Sequence, residues 1–457
     1  MSAALRSVAV FGGGIVAQSA ALAFAKALPR AAIVQVATPV SPAALADRLP
    51  LVQPFALATF DRLGIDPDAL IDRGVATHRL AQRFEAWGPD RRPWHLSDSG
   101  TAVPSGPGAP HQRWLEAERQ GDTRPFDMLL PGAVLAQSGR FAPDLPPPLD
   151  MTEAALRLDG DAFARVLASG LARSRVTSRS GSIASVDRDA DGHVAAVMMA
   201  DGTRIVADLF IDATGPAALV AGDMAFEDWS AALPYDRLLL QRSGAGTTPL
   251  LDSYTATDIG WSARWPFPGG EWRALAFAAT TREDRARRKL PSGRDTADLI
   301  SYRPGRRRDA WRGNVLTLGE AAVQPGPLGL AGLSLAWTHL ALALDLLPDR
   351  TMPPSLIAEY NRRAGLRADR LCDFLAAHYR GRNEAPAGLA TTLVQFERRG
   401  LLPHHEEESM IDDAWAAVLL GQGMRPTRRD PQAMGAEPRA IAAAQTAITA
   451  AVARVPA

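Results

Sequence analysis

The sharpest hydrophobic pattern lies at the start of the chain. Ser7 to Phe11 is a short apolar run that predicts a buried strand, Gly12-Gly13-Gly14 predicts a tight turn, and Ile15 to Leu28 predicts an apolar helix stopped by Pro29. Ala32 to Val36 predicts the second strand. Asp61 to Asp72 reads as a helix and turn around Leu63-Gly64-Ile65-Asp66-Pro67, and residues 76 to 88 read as one strand. An amphipathic helix is expected from Asp161 to Ala172. Strands are expected at Arg175 to Val186 and His193 to Met199, with Asp201-Gly202 as a hairpin turn. Arg204 to Gly215 holds a buried strand ending in small residues, Val315 to Leu318 another, and the Ala-rich stretch Arg439 to Val452 a helix. Residues 39 to 57 show no clear period. Residues 89 to 150 hold Pro93, Pro104, Pro107, Pro110, Pro143 and Pro146 to Pro148, and predict a solvated loop containing Trp94, His95, His111 and Trp114.

The first strand, turn and helix form a GxGxxA fingerprint. Gly12 permits the sharp turn, Gly14 lets backbone approach a phosphate, and Ala17 allows close helix–strand packing, with the helix N-terminus facing the anion. On its own the fingerprint is weak evidence, its bland reading being a Gly-rich turn of another α/β protein. The second strand ends Gln35-Val36-Ala37-Thr38, so the acid that usually holds an adenosine ribose is missing, and Gln35 or Thr38 offers at best a neutral hydrogen bond. Two later turns come directly after buried strands: Asp212-Ala213-Thr214-Gly215, and Gly319-Glu320-Ala321-Ala322 with the Gly-rich turn Pro327 to Gly332 behind it. Three such turns in this order point to an FAD-type dinucleotide fold. They make Gly12, Gly13, Gly14, Ala17, Thr214, Gly215, Gly319, Glu320 and Pro327 the candidate cofactor contacts.

Composition narrows the classes. The chain has 457 residues, 47% hydrophobic and 22% charged, long enough for two or three domains with a large core. Its formal net charge is zero, so no global field draws it to nucleic acid or to an anionic membrane, and no run approaches the roughly 20 apolar residues of a membrane span. The apolar N-terminus behind Arg6 could pass for a signal peptide, but the three glycines interrupt it. A single cysteine, Cys372, excludes an internal disulfide framework and a cysteine-built metal site, and fits a reducing cytoplasm. Only two lysines occur, Lys26 and Lys289, so any amine chemistry has two candidates. His404-His405-Glu406-Glu407-Glu408 reads as a solvated acidic face rather than a metal site, because adjacent side chains diverge. The runs Arg285 to Lys289 and Arg306 to Arg308 read as ion pairs. Nothing demands or forbids a homodimer.

Across nearly its whole length the chain resembles the flavin-dependent tryptophan halogenase family. The resemblance rests on GGGIVA at 12–17, RLGID at 62–66, the 76–88 stretch, ADLFIDATG at 207–215 and YRPGRRRDAWRGNVLTLGEAA at 302–322, and continues in EYN at 359–361 and DFLAAHY at 373–379. It implies an α/β FAD-binding dinucleotide fold, similar to flavin monooxygenases, with a second mixed sheet and helical substrate module. The expected division is 1–225 with 300–345 for the FAD body, and 226–299 with 346–457 for the substrate module. It also implies reduced FAD supplied by a separate flavin reductase, and hypohalous acid made from oxygen and halide. That oxidant would cross to a small aromatic or electron-rich substrate, guided by a lysine and a glutamate.

Position by position, the resemblance breaks at the chemistry. The family lysine falls on Arg79, within Thr77-His78-Arg79-Leu80-Ala81, and arginine stays protonated and supplies no neutral amine. The family glutamate after Pro-Leu falls on Gly329. Halide, which the family holds on backbone amides of this turn, retains Ala331 and Gly332. The ring strap Gly-Val-Gly-Glu-Ala-Thr-x-Pro aligns with Asp47-Arg48-Leu49-Pro50-Leu51-Val52-Gln53-Pro54, keeping only the last proline. The WxWxIP signature appears as Trp261-Ser262-Ala263-Arg264-Trp265-Pro266-Phe267-Pro268. Three readings are open: an FAD enzyme with altered oxidative chemistry, with FAD binding weakened and Arg79 positioning an oxidant or an anionic substrate; a catalytically inactive binding or partner subunit; and a halogenase in which arginine replaces lysine.

Overall fold

Four apolar runs far apart in the chain become neighbours in one parallel sheet. The computed structural model describes residues 4–244, 248–290, 296–435 and 437–456. In its first unit, β1 (Ser7–Phe11) lies between β2 (Ala32–Ala37) and the strand Leu209–Asp212, which pairs in turn with Val315–Thr317; Thr177–Ser180 and Trp311–Arg312 form the edges. These central strands are apolar but for one polar side chain each, Ser7, Gln35, Asp212 and Thr317, because both faces are covered, as parallel sheets require. The register sets Phe11 beside Asp212 and Asp212 beside Thr317, so the three turns after these strands emerge together from the carboxyl edge of the sheet. That edge is where open α/β sheets bind ligands.

Helix α1 (Ile15–Ala27) packs its small residues on this sheet; Ala17 and Ala20 are fully buried. The apolar helix Gly332–Asp345 packs beside it, with Trp337 against Phe60. Residues 328–345 are apolar enough by length and composition to cross a membrane, yet 72% of that window is buried inside the fold, which marks a core helix.

The second unit is built on a mixed sheet. Arg237–Ser243, Gly270–Phe277, Gly260–Phe267 and Leu251–Ala256 run antiparallel in that order; Ala81–Glu85 adds in parallel to Leu251–Ala256, and Trp94–Ser97 pairs antiparallel beyond it. Helices Pro110–Arg119, Pro131–Ser138, Ala387–Arg399, Asp412–Gly421 and Pro438–Val452 belong to the same unit. The expected C-terminal helix is present and packs on the first two of these.

The units divide the chain differently from the sequence-based expectation. The first holds Met1–Ala76, Arg157–Ser230 and Ile300–Asp369; the second holds Thr77–Leu156, Ala231–Leu299 and Arg370–Ala457. Residues 77–156 belong with the second because Ala81–Glu85 is an interior strand of its sheet. Residues 346–369 belong with the first, where Asn361 exchanges hydrogen bonds with the Trp311 backbone at 2.8 and 2.7 Å. The 76–88 stretch is two strands, Ala76–Arg79 and Ala81–Glu85, broken at Leu80. The 175–186 stretch also divides, into Thr177–Ser180 and Ile183–Arg188. The proline-rich 89–150 region is not solvated loop: Trp94, His95, His111 and Trp114 are all buried, on a strand and a helix.

Candidate functional site

The glycine turn is as tight as a phosphate cradle requires. Gly12 has φ +141°, and a Cβ there would lie 2.4 Å from the Ala213 carbonyl oxygen and 2.7 Å from the Ala17 Cβ. A Cβ on Gly13 would meet the Thr38 carbonyl oxygen at 2.3 Å. Gln35 donates through Nε2 to the Gly12 carbonyl at 2.7 Å, so it braces the turn from below and is not presented to a ribose. The Thr38 hydroxyl is buried without a hydrogen-bond partner among the described residues.

The second turn is tied by its own acid. Asp212 is fully buried and accepts from the Thr214 amide and hydroxyl at 3.0 and 2.7 Å, and from the Val220 and Ala221 amides at 2.8 and 2.7 Å. The Thr214 hydroxyl in turn accepts from the Leu219 amide at 2.8 Å, so this side chain shapes the loop. Gly215, at φ +80°, lets the turn close on Ser41 and Ala44.

The third turn meets the segment after β2. Helix α2 (Leu45–Arg48) is a single turn whose Ala46 amide donates to Glu320 Oε1 at 2.6 Å. Its Asp47 carboxylate reaches the N-terminus of α1 and accepts from the Val16 amide at 3.0 Å. A Cβ on Gly14 would lie 2.2 Å from Asp47 Oδ2, so the third glycine makes room for this carboxylate. Burial pushes the Asp47 carboxyl up to about 6, against the lowering effect of the Val16 and Ile15 amides. Burial first, and then the charge of Asp47, push Glu320 up to about 8. Beyond them, Leu49, Tyr302, Glu320, Pro327, Leu330 and Gly332 wall a cavity of about 10 Å³, roughly one water. Just after α2, Ser334 accepts from the Gln53 amide at 2.9 Å and donates to the Leu51 carbonyl at 3.0 Å, anchoring β3 (Leu51–Val52).

Gly329 sits in the short turn Leu328–Leu330 at φ +72°, a left-handed conformation; Ala331 caps the helix that starts at Gly332. The first amides of that helix have no partners within it.

Arg79 belongs to the second unit and is fully buried. Its Nε and Nη2 donate to the two oxygens of Asp98 at 2.9 and 2.7 Å, and Nη1 donates to Asp252 at 3.2 Å. Asp98 comes just after the strand on one side of Ala81–Glu85, and Asp252 lies in the strand on the other. Burial would lower the guanidinium pKa, but Asp98 and Asp252 outweigh it and raise it above the usual range. Trp261 and Trp265 lie on one face of their strand, both fully buried, and Trp261 Nε1 donates to the Tyr379 hydroxyl at 3.0 Å. A cavity of about 310 Å³ in the same unit is lined by Thr392, His404, His405, Glu408, Asp412 and Trp415. Glu408 accepts from the Met410 amide at 2.9 Å, and burial raises its pKa against the lowering effect of the Met410 amide and the Trp415 side chain.

The family model for tryptophan halogenases matches residues 7–438. The chain belongs to that family. It is 27% identical over 405 residues to the tryptophan 7-halogenase KtzQ of Kutzneria sp. (strain 744), covering 82% of this chain and 76% of that protein. To the tryptophan 7-halogenase RebH of Lentzea aerocolonigenes it is 26% identical over 420 residues, covering 83% and 77%. Among solved structures, BrvH, a flavin-dependent halogenase from Brevundimonas sp. BAL3, is similar with a TM-score of 0.91 at 27% identity, covering 99% of this chain and 98% of that one. The flavin-dependent halogenase Xcc4156 from Xanthomonas campestris gives 0.89 at 27%, covering 99% and 97%.

Tryptophan halogenases use reduced FAD supplied by a separate flavin reductase and act on small aromatic substrates. In this member the glycine turn and the unsatisfied Thr38 hydroxyl suit a dinucleotide. The α1 amides beside them, as arranged, hold Asp47. The structure thus gathers Gly12, Gly13, Gly14, Thr214, Gly215, Gly319 and Glu320 at one sheet edge, with Pro327 and Gly332 on the adjoining cavity. Asp47, Ser334, Asp98 and Asp252 escaped the sequence reading. Their contacts span 31 to 283 residues, save the Arg79–Asp98 pair at 19, and no local spacing reports them.

Proposed function

We propose that this chain is a flavin-dependent member of the tryptophan halogenase family that acts on a small aromatic or electron-rich substrate without lysine-guided halogen transfer. The observation that carries this reading is Arg79, at the family lysine position, fully buried and held by Asp98 and Asp252. A guanidinium between two carboxylates has no lone pair to take up halogen, and each of its three nitrogens already donates to a carboxylate. Gly329 at the family glutamate position removes the second guiding group. The cavity of about 310 Å³ beside Trp415 supports a small aromatic substrate, since it offers that volume against an aromatic wall.

The test is turnover with a flavin reductase, NADH, FAD, halide and a panel of indoles and phenols. Substrate-dependent oxidised products without the halogen isotope pattern are expected. Halogenated product at a rate that tracks enzyme concentration would overturn the reading. A second reading, a binding or partner subunit that no longer turns over, draws on the Asp47 carboxylate in the phosphate seat. It predicts no flavin uptake at high micromolar FAD, where the first predicts a yellow complex.

A further inference from the structure

The N-terminus of α1 is an anion seat by construction, because its first amides have no partners within the helix and the helix dipole favours negative charge there. In this chain an anion is already in place. Asp47, where the family strap carries a glycine, delivers its carboxylate to the Val16 amide at 3.0 Å and to the Ile15 amide beside it. Its oxygens press on Gly14 so closely that no side chain fits at that position. This is the approach that the second glycine of a dinucleotide fingerprint, here Gly14, gives to a pyrophosphate.

The segment bearing Asp47 is clamped at identifiable points. Upstream, the Ser41 hydroxyl accepts from the Ala43 amide at 3.2 Å and shapes the entry to α2. At its centre, Leu45 and Ala46 are buried and the Ala46 amide is held by Glu320. Downstream, Ser334 grips Leu51 and Gln53. Lifting the stretch between Ser41 and Pro50 costs the Asp47 and Glu320 contacts, the burial of Leu45, Ala46 and Leu49, and the bond from the Leu158 amide to the Pro50 carbonyl at 3.0 Å, while β3 stays fixed.

We infer that Asp47 is an internal ligand of the phosphate seat, which competes with the pyrophosphate of FAD for the α1 amides and so sets how tightly this protein holds its flavin. The inference rests on the reading that the fold takes FAD. A dinucleotide enters only when the 42–50 stretch lifts, and its apparent affinity is reduced by the fraction of molecules in which Asp47 is seated. Substituting the carboxylate removes the competitor without touching the glycine turn, the Asp212 loop or Ser334.

The experiment titrates FAD into the full chain and into Asp47→Gly, Asp47→Ala and Asp47→Asn, monitored by flavin fluorescence, with thermal melting to establish that each variant is folded. Hydrogen–deuterium exchange over residues 42–50 is measured with and without FAD. The glycine and alanine variants are expected to bind FAD about tenfold or more tightly than wild type, with asparagine between, because it keeps the shape and loses the charge. In wild type, FAD should deprotect residues 42–50. Folded variants with unchanged or weaker FAD affinity overturn the inference and leave the flavin reading standing. No uptake by any form at high micromolar FAD overturns both.

Discussion

Replacing Arg79 with lysine restores the family's residue in name, but the new side chain enters a site shaped for a guanidinium. That guanidinium spans two carboxylates with three nitrogens, at 2.9, 2.7 and 3.2 Å, and is fully buried. An ammonium keeps the charge but concentrates its donors on one atom, so it serves one aspartate well and leaves the other without its partner. Hydrogen bonds to charged groups are worth about 1.5–3 kcal/mol each, and losing about two of them in a buried site puts Arg79→Lys at about 3–5 kcal/mol of destabilisation. For a unit of this size each kcal/mol lowers the melting temperature by roughly 2–4 °C, so a fall of roughly 6–20 °C is expected in calorimetry. The new amine would also stay protonated between two carboxylates, so no halogenated indole should appear in the reductase-coupled assay. Denaturant titration of Arg79→Lys, Asp98→Asn and the double variant gives the coupling energy of the pair. A cost within about 0.5 kcal/mol of wild type, or a halogenated product from the single variant, would show that Arg79 is not the centre of a closed ionic cluster.

Two further outcomes rest on single positions. Gly329→Glu places a side chain on backbone at φ +72° and should cost about 1–2 kcal/mol, read as a lower unfolding midpoint; an unchanged midpoint would mean the turn relaxes to an ordinary conformation. Glu320 is pushed from an ordinary 4.5 up to about 8, chiefly by burial, so between those values the folded protein keeps a proton that the unfolded chain releases. Stability contributed at this group therefore falls as pH rises from about 5 to about 8, with a slope of up to about 1.4 kcal/mol per pH unit. Glu320→Gln should flatten that decline in melts across the window, and a wild-type curve that is already flat would rule the effect out.

The sequence carried the parallel core and its three turns because both depend on local chemistry: strands covered on two faces must be apolar, and turns that touch a neighbouring backbone must be glycine. It misled where one residue type serves opposite purposes. Pro110 and Pro131 open helices at the position where a missing amide costs nothing, and a run of prolines therefore looked like loop while it was starting secondary structure. The boundary at residue 76 was hidden for another reason. Strand Ala81–Glu85 pairs with residues about 170 positions later, and only that pairing assigns it to the second unit. For Arg79 one signal was present: an arginine between Ala76 and Leu80, in a stretch otherwise fit for burial, required a carboxylate somewhere, though not which one.

The departures from the family pattern do not resemble the accumulation of independent losses. An eroded site leaves donors and acceptors stranded, each at about 1–3 kcal/mol, because the partners they were built for have gone. Here the replacements make new contacts of their own. Arg79 is met by Asp98 and Asp252, Asp47 satisfies amides at the head of α1, and Gln35, at the end of the strand that lost its ribose acid, bonds the Gly12 carbonyl. Near the glycine turn the Thr38 hydroxyl remains buried and, among the described residues, unpartnered, at the place where an adenosine ribose would bring its own hydroxyls. The replaced side chains have thus been absorbed into internal structure, while unpartnered buried atoms among the described residues stand both at the nucleotide end, at Thr38, and in the altered segments, at Gln53, Thr77 and Trp265. Internal contacts alone therefore do not separate a site that still receives a nucleotide from one that has closed, and flavin titration of the Asp47 variants separates them directly.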